Sequence, residues 1–153
     1  KYEEVRKQID SITDKLDGHK TTLLTDITLL DRLYEANLEY FHNLDHYISA
    51  GDAKLKQLDQ QVIPEKAAAA ASSEAILAAQ ELRDLRATRD DLERRVHDLR
   101  LTRQVAMQSL PSIRLIQDND KGLVNKINST LVNTIPLWRQ QFATLVFKLT
   151  NQY

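Results

Sequence analysis

The chain has 153 residues with 21 basic and 22 acidic side chains, a net charge of -1 that lacks the strongly basic footprint of a nucleic-acid-binding domain. It contains no Cys, which excludes disulfide frameworks, thiol redox chemistry and thiolate metal sites. Gly and Pro number three each while charged residues reach 28%, a composition of long helices rather than of strands joined by turns.

The first segment, about Tyr2 to Val62, reads as one helix. Val5, Ile9, Ile12, Leu16, His19, Leu23, Asp26, Leu30, Leu33, Asn37, Tyr40, Leu44 and Tyr47 recur at steps of 4 and 3, the seam of a coiled coil. Ile27, Tyr34, Phe41 and Ile48 widen its apolar stripe. Gly18 and Gly51 are its weak points, each costing about 1 kcal/mol against Ala in a helix interior. Ser49-Ala50-Gly51-Asp52 is a candidate local break. His42 and His46 have a metal-ligand spacing, but a zinc site needs a third ligand and neither an HExxH frame nor a suitably spaced acid is present, so no metal site is expected.

Pro64 is the predicted turn, followed by Glu65 and the helix-forming run Ala67 to Ala71. That run reads as a thin part of the seam where helices approach closely, with a flexible linker as the alternative. The second helix, about 65–109, carries the clearest signal in the chain. Ala75, Ala78, Leu82, Leu85, Arg89, Leu92, Val96, Leu99, Arg103, Ala106 and Leu110 form an unbroken heptad ladder with two arginines set into it. A helix of about 45 residues would be on the order of 65 Å long. A turn at Pro64 pairs Leu30 with Leu99, Leu33 with Val96, Leu44 with Leu85 and His19 with Leu110, and gives Arg103 the carboxylate of Asp26 and Arg89 the phenol of Tyr40. Registers shifted by one heptad interleave as well. Arg83, Arg86, Arg94, Arg95 and Arg100 crowd the same helix, where a planar guanidinium fork could bind an oxyanion. Glu81, Asp84, Asp90, Asp91, Glu93 and Asp98 lie among them and favour salt bridging along a solvated face.

Pro111 is expected to end the second helix or kink it sharply, with Asp118-Asn119-Asp120-Lys121-Gly122 as the competing break. A third helix, about 112–152, has Val124, Ile127, Leu131, Ile135, Trp138, Phe142, Leu145 and Leu149 on one stripe and a kink at Pro136. Arg114, Gln117, Asn119, Asn125 and Asn128 recur at helical spacing, either as an interhelical hydrogen-bond network or as a recognition face. Trp138, Phe142, Leu145, Val146 and Leu149 with Arg139 and Lys148 make an amphipathic face for packing, for a partner or for the inner face of a membrane. No Gly-rich phosphate loop, GxSxG element or His-Asp-Ser set is present, so enzymatic activity is not expected.

The run from Pro111 to Asp120 (PSIRLIQDND), then Leu123, Lys126-Ile127, and Thr134 to Gln141 (TIPLWRQQ), resembles the TelA family of toxic anion (tellurite) resistance proteins. The N-terminal helix is similar too, in Tyr2, the spacing from Ile9 to Leu16, Leu23-Leu24 and Tyr47-Ile48 before Leu55. The resemblance covers nearly the whole chain and matches the central portion of longer family members. It implies a role in bacterial resistance to tellurite and related anions, and it implies no catalytic residue or cofactor. Reducing tellurite needs electrons from thiols or a redox cofactor; the chain has no Cys and no cofactor motif, so direct reduction is not expected.

The sequence therefore predicts an all-α fold, an elongated antiparallel bundle of three long helices in a single domain of a longer cytoplasmic protein. The expected role is a non-enzymatic scaffold or adaptor in a bacterial stress response, with protein partners on its helical faces. Capture of the oxyanion on the arginine-rich helix is one alternative, and a protein peripheral to the inner membrane that uses the Trp138 face is another. The candidate interaction or structural residues are Asp26, Arg89, Arg103, Arg114, Gln117, Asn119, Pro136 and Trp138. No cofactor and no nucleic-acid partner are expected.

Overall fold

The computed structural model describes residues 1–72 and 76–152, and its regular elements are all helical. Helix α1 spans Tyr2–Gln57 and a π-helical turn spans Leu58–Val62. Helix α2 follows at Ile63–Ser72 and α3 at Ile76–Ser129. A second π-helical turn spans Thr130–Thr134 and leads into α4, Ile135–Thr150. Two long helices of 56 and 54 residues thus replace the expected three. None of the described helices is long and apolar enough to cross a membrane.

The prolines account for the difference. Pro111 lies inside α3 without ending it. Its ring is on an exposed position, and the buried or half-buried residues Ala106, Leu110, Ile113, Gln117, Asp120 and Val124 keep steps of 4 and 3 straight past it. Packing along that ladder offsets the hydrogen bond that Pro111 cannot donate. The Asp118–Gly122 stretch is helical as well. Pro64 and Pro136 each stand just after a π-helical turn, in which the N–H of Ile63 donates to the carbonyl of Leu58 and that of Ile135 to the carbonyl of Thr130. The wider turn admits one extra residue and relieves the clash between the proline ring and the preceding turn. Neither proline reverses the chain.

The chain groups into two compact units, residues 1–34 with 112–153 and residues 35–111. In the second of these, Leu44, Ile48, Gly51 and Leu58 on the outgoing arm and Val96 and Ala106 on the returning arm are buried. Arg89 meets Asp59, Arg103 meets Asp45 and Arg100 meets Asp52 across the two arms. These pairs centre near position 74, about ten residues beyond Pro64, so the predicted register is corrected: Arg103 does not face Asp26, and Arg89 does not face Tyr40. Ala75 of the ladder lies outside the described residues. Gly51 is no break. It is buried against α3, and a Cβ there would run into the Val96 side chain.

In the other unit Ile9, Ile113, Gln117, Val124 and Ile135 are buried, and the Tyr2 ring meets that of Phe142 with centroids 6.3 Å apart. The seam of α1 also differs from the predicted one. Ile9, Leu16, Leu23, Leu30, Asn37 and Leu44 face inward as expected. The other half of the ladder is Thr13, Lys20, Ile27, Tyr34, Phe41 and Ile48, and Ile12, His19, Asp26, Leu33, Tyr40 and Tyr47 are exposed. A step of 3 followed by 4 and a step of 4 followed by 3 both satisfy a heptad, so spacing alone left the two seams degenerate.

Candidate functional site

A polar cluster joins α1 to the PSIRLIQ motif of α3. Gln117 sits on the α3 ladder, only 1% exposed. Its side-chain amide donates to the Ile27 carbonyl at 3.0 Å and to Oδ1 of Asp31 at 2.7 Å. Its own carbonyl accepts from Nη1 of Arg114 at 2.6 Å. One helical turn before it on α3, Arg114 also donates to Asp31 at 2.8 Å, and its guanidinium lies 3.8 Å above the centre of the Tyr34 ring. Helical i, i+3 spacing puts Arg114 and Gln117 on one side of α3, and i, i+4 spacing puts Ile27 and Asp31 on one side of α1.

Hydrogen bonding sets the charge states. The Gln117 amide and then the Arg114 guanidinium hold the Asp31 carboxyl below the usual aspartate range, and Asp31 raises Arg114 in return. Arg89 holds Asp59 low in the same way, and Asp59 with Glu93 raises Arg89. Among the described residues Arg89, Arg100, Arg103, Arg114 and Arg139 cross between arms, each reaching an aspartate of α1 or of the turn that follows it. Arg139 reaches Asp10 at 2.7 Å.

The aspartates share a sequence signature that went unread: Asp10, Asp31, Asp45, Asp52 and Asp59 are separated by multiples of seven. One heptad column of acids on the outgoing arm meets arginines on the returning arm. Of the residues expected on the seam, Arg89 and Arg103 are half-buried on α3 and pair with Asp59 and Asp45, and Arg114 and Gln117, expected in a network or a recognition face, bond to Asp31. Asp26 is exposed and forms no ion pair among the described residues, and Asn119 is exposed on α3. Pro136 opens α4, and Trp138 is 40% exposed rather than packed on the stripe with Phe142. The π-helical turn moves burial on by one residue, to Ile135, Phe142 and Val146.

This arrangement is a clamp. Among the described residues no buried side-chain nitrogen or oxygen lacks a hydrogen-bond partner. The donors of Arg114 that face the network are already committed to Asp31 and Gln117. Among the described residues no group of three or more His, Cys, Asp and Glu could hold a metal ion.

A family model described as toxic anion resistance protein (TelA) matches residues 1–152. The chain is 47% identical over 144 residues to the protein YaaN of Bacillus subtilis, covering 94% of this chain and 37% of that one. It is 40% identical over 152 residues to the protein Lmo1967 of Listeria monocytogenes, covering 99% and 38%. A TelA-like protein of Staphylococcus aureus is 39% identical over 143 residues, covering 94% and 38%. The chain therefore spans less than two fifths of the length of these relatives. No solved structure matches it.

Proposed function

The chain belongs to the TelA family of toxic anion resistance proteins, and from that premise we propose that it works as a non-enzymatic helical scaffold or adaptor in resistance to tellurite and related anions. The observation that carries this reading is the pairing of arginines with aspartates. Arg89, Arg100, Arg103, Arg114 and Arg139 each engage a carboxylate on the opposite arm. An oxyanion would have to displace those carboxylates, and a bidentate fork already bonded to Asp59, as in Arg89, gains little by exchanging one anion for another. A surface hollow on the arginine-rich stretch is lined by Asp90, Glu93, Asp98, Arg94 and His97, a set that repels an anion. The arms instead carry exposed apolar side chains, including Leu101, Val105 and Leu115, suited to protein partners.

Calorimetric titration of tellurite into the chain, with sulfate as control, tests the reading. The scaffold role predicts no saturable heat beyond the sulfate signal. Saturable tellurite binding that is lost when Arg83, Arg86 and Arg95 are changed to Ala would replace it with direct anion capture.

A further inference from the structure

The unit made of residues 1–34 and 112–153 has two unlike flanks. One is closed by polar links, Arg114 to Asp31 and Arg139 to Asp10. The other is apolar and open. Val5, Ile12 and Leu33 share a heptad column of α1 and are exposed. Ile116 and Leu123 share the corresponding column of α3, and the extra residue of the π-helical turn at Thr130–Thr134 lets Trp138 and Leu145 continue it on α4. These four side chains are exposed as well. Along the α1 column His19 stands between Ile12 and Asp26, so the stripe is interrupted near its middle.

The two ends of the stripe differ in charge. At one end a hollow of about 320 Å³ is lined by Leu29, Leu30, Leu33 and Ile116 and bracketed by Asp26 and Asp120. Among the described residues neither carboxylate has an ion-pair or hydrogen-bond partner, in contrast to Asp10 and Asp31 on the other flank. At the opposite end Leu145 lines a hollow of about 370 Å³ with Leu137, Thr144 and Lys148, on a helix that carries Arg139 and Lys148 and no acid. A stripe that is acidic at one end and basic at the other is complementary to itself when turned end for end.

We propose that this flank is the interface of a two-fold homodimer, in which a second copy lies antiparallel along the stripe. The Asp26 and Asp120 end of each copy then meets the Lys148 end of its partner. The contact is isologous and closed, so it forms a dimer and not a filament. It covers the exposed column of Val5, Ile12, Leu33, Ile116, Trp138 and Leu145 with the equivalent residues of the other copy. The dimer stands or falls apart from the scaffold role, because a monomer could still hold other proteins.

Sedimentation equilibrium on the chain, with circular dichroism to confirm helical content, tests this. The wild-type chain should show twice its 17.6 kDa mass at micromolar concentration. Asp26→Lys with Asp120→Lys in one variant, and Lys148→Glu in another, should each raise the dissociation constant more than about tenfold, because like charges then face each other across the interface. An equimolar mixture of the two variants should recover a dimer, because both ends become complementary again. A wild-type monomer throughout, a dimer indifferent to both variants, or a mixture that stays monomeric overturns the proposal. A monomer that binds vesicles of anionic lipid through the same stripe also overturns it and assigns the stripe to a membrane surface.

Discussion

Gln117 is an unusual residue to bury on a helical ladder, and its partners explain it. Both ends of its amide are bonded, to the Ile27 carbonyl and Asp31 on one side and to Arg114 on the other. Gln117→Leu removes those three bonds and is expected to cost about 1–3 kcal/mol, read as a lower urea midpoint. Gln117→Glu should cost more, because a second carboxylate would face Asp31. The lowered Asp31 carboxyl has a pH consequence of fixed sign. A carboxyl whose folded value lies below its unfolded value of about 4 stabilises the fold above that pH, and the contribution disappears as pH falls through the lower folded value. Thermal stability should therefore decline below about pH 4, and Asp31→Asn should flatten that decline. The glycines give opposite signs. Gly51→Ala forces a Cβ into Val96 and should destabilise by about 1–3 kcal/mol, whereas Gly18→Ala meets open space and should stabilise by up to about 1 kcal/mol. Denaturant melts of the two variants side by side check both signs.

At the level of elements, the prolines are not equivalent. Pro64 and Pro136 follow π-helical turns that accommodate their rings, while Pro111 sits in a regular stretch of α3. Pro111→Ala restores a donor and raises helix propensity, so it should stabilise by about 1–3 kcal/mol, with a smaller gain from Pro64→Ala. Equal gains at both positions in thermal melts would remove the distinction. The two π-helical turns also shift the ladder by one residue each. That shift brings Phe142 and Val146 inward and leaves Trp138 and Leu145 outside. An unbroken stripe in the sequence was therefore split between core and surface.

For the molecule as a whole, the acids of the outgoing arm are matched to the arginines of the return. Asp45 and Arg103 are 42% and 36% exposed, so their coupling in a double-mutant cycle should be about 0.2–1 kcal/mol, well short of a buried pair. The Asp26 and Arg103 cycle should give no coupling, because Arg103 is committed to Asp45. A coupling at Asp26 equal to that at Asp45 would return the register to the one expected from Pro64. A heptad shift would keep the apolar ladders interleaved and, with Asp45, Asp52 and Asp59 seven residues apart, would in one direction still offer Arg100 and Arg103 a carboxylate; Arg114 opposes it, because Leu24 or Leu38 would stand in place of Asp31.

Much of this protein follows from local chemistry. Scarce Gly, scarce Pro and unbroken 3-and-4 spacing make long helices, and the Ala78-to-Leu110 ladder with Arg89 and Arg103 within it is buried or half-buried as read. The P-x-I-R-L-I-Q and T-I-P-L-W elements carried the family. Arg114 and Gln117 were legible as an interhelical network because polar residues at helical spacing inside a ladder must find partners. The rest needed the fold. Which of two heptad phases faces inward, where the arms reverse, and whether a proline breaks a helix or is absorbed by it are all decided by packing against a distant segment. The sequence by itself determined that the chain is helical and which residues form the ladder from Ala78 to Leu110. Only the tertiary structure decided that Asp31 and not Asp26 meets the motif, and that Trp138 faces outward, because both depend on a register that side chains far apart in the chain fix together.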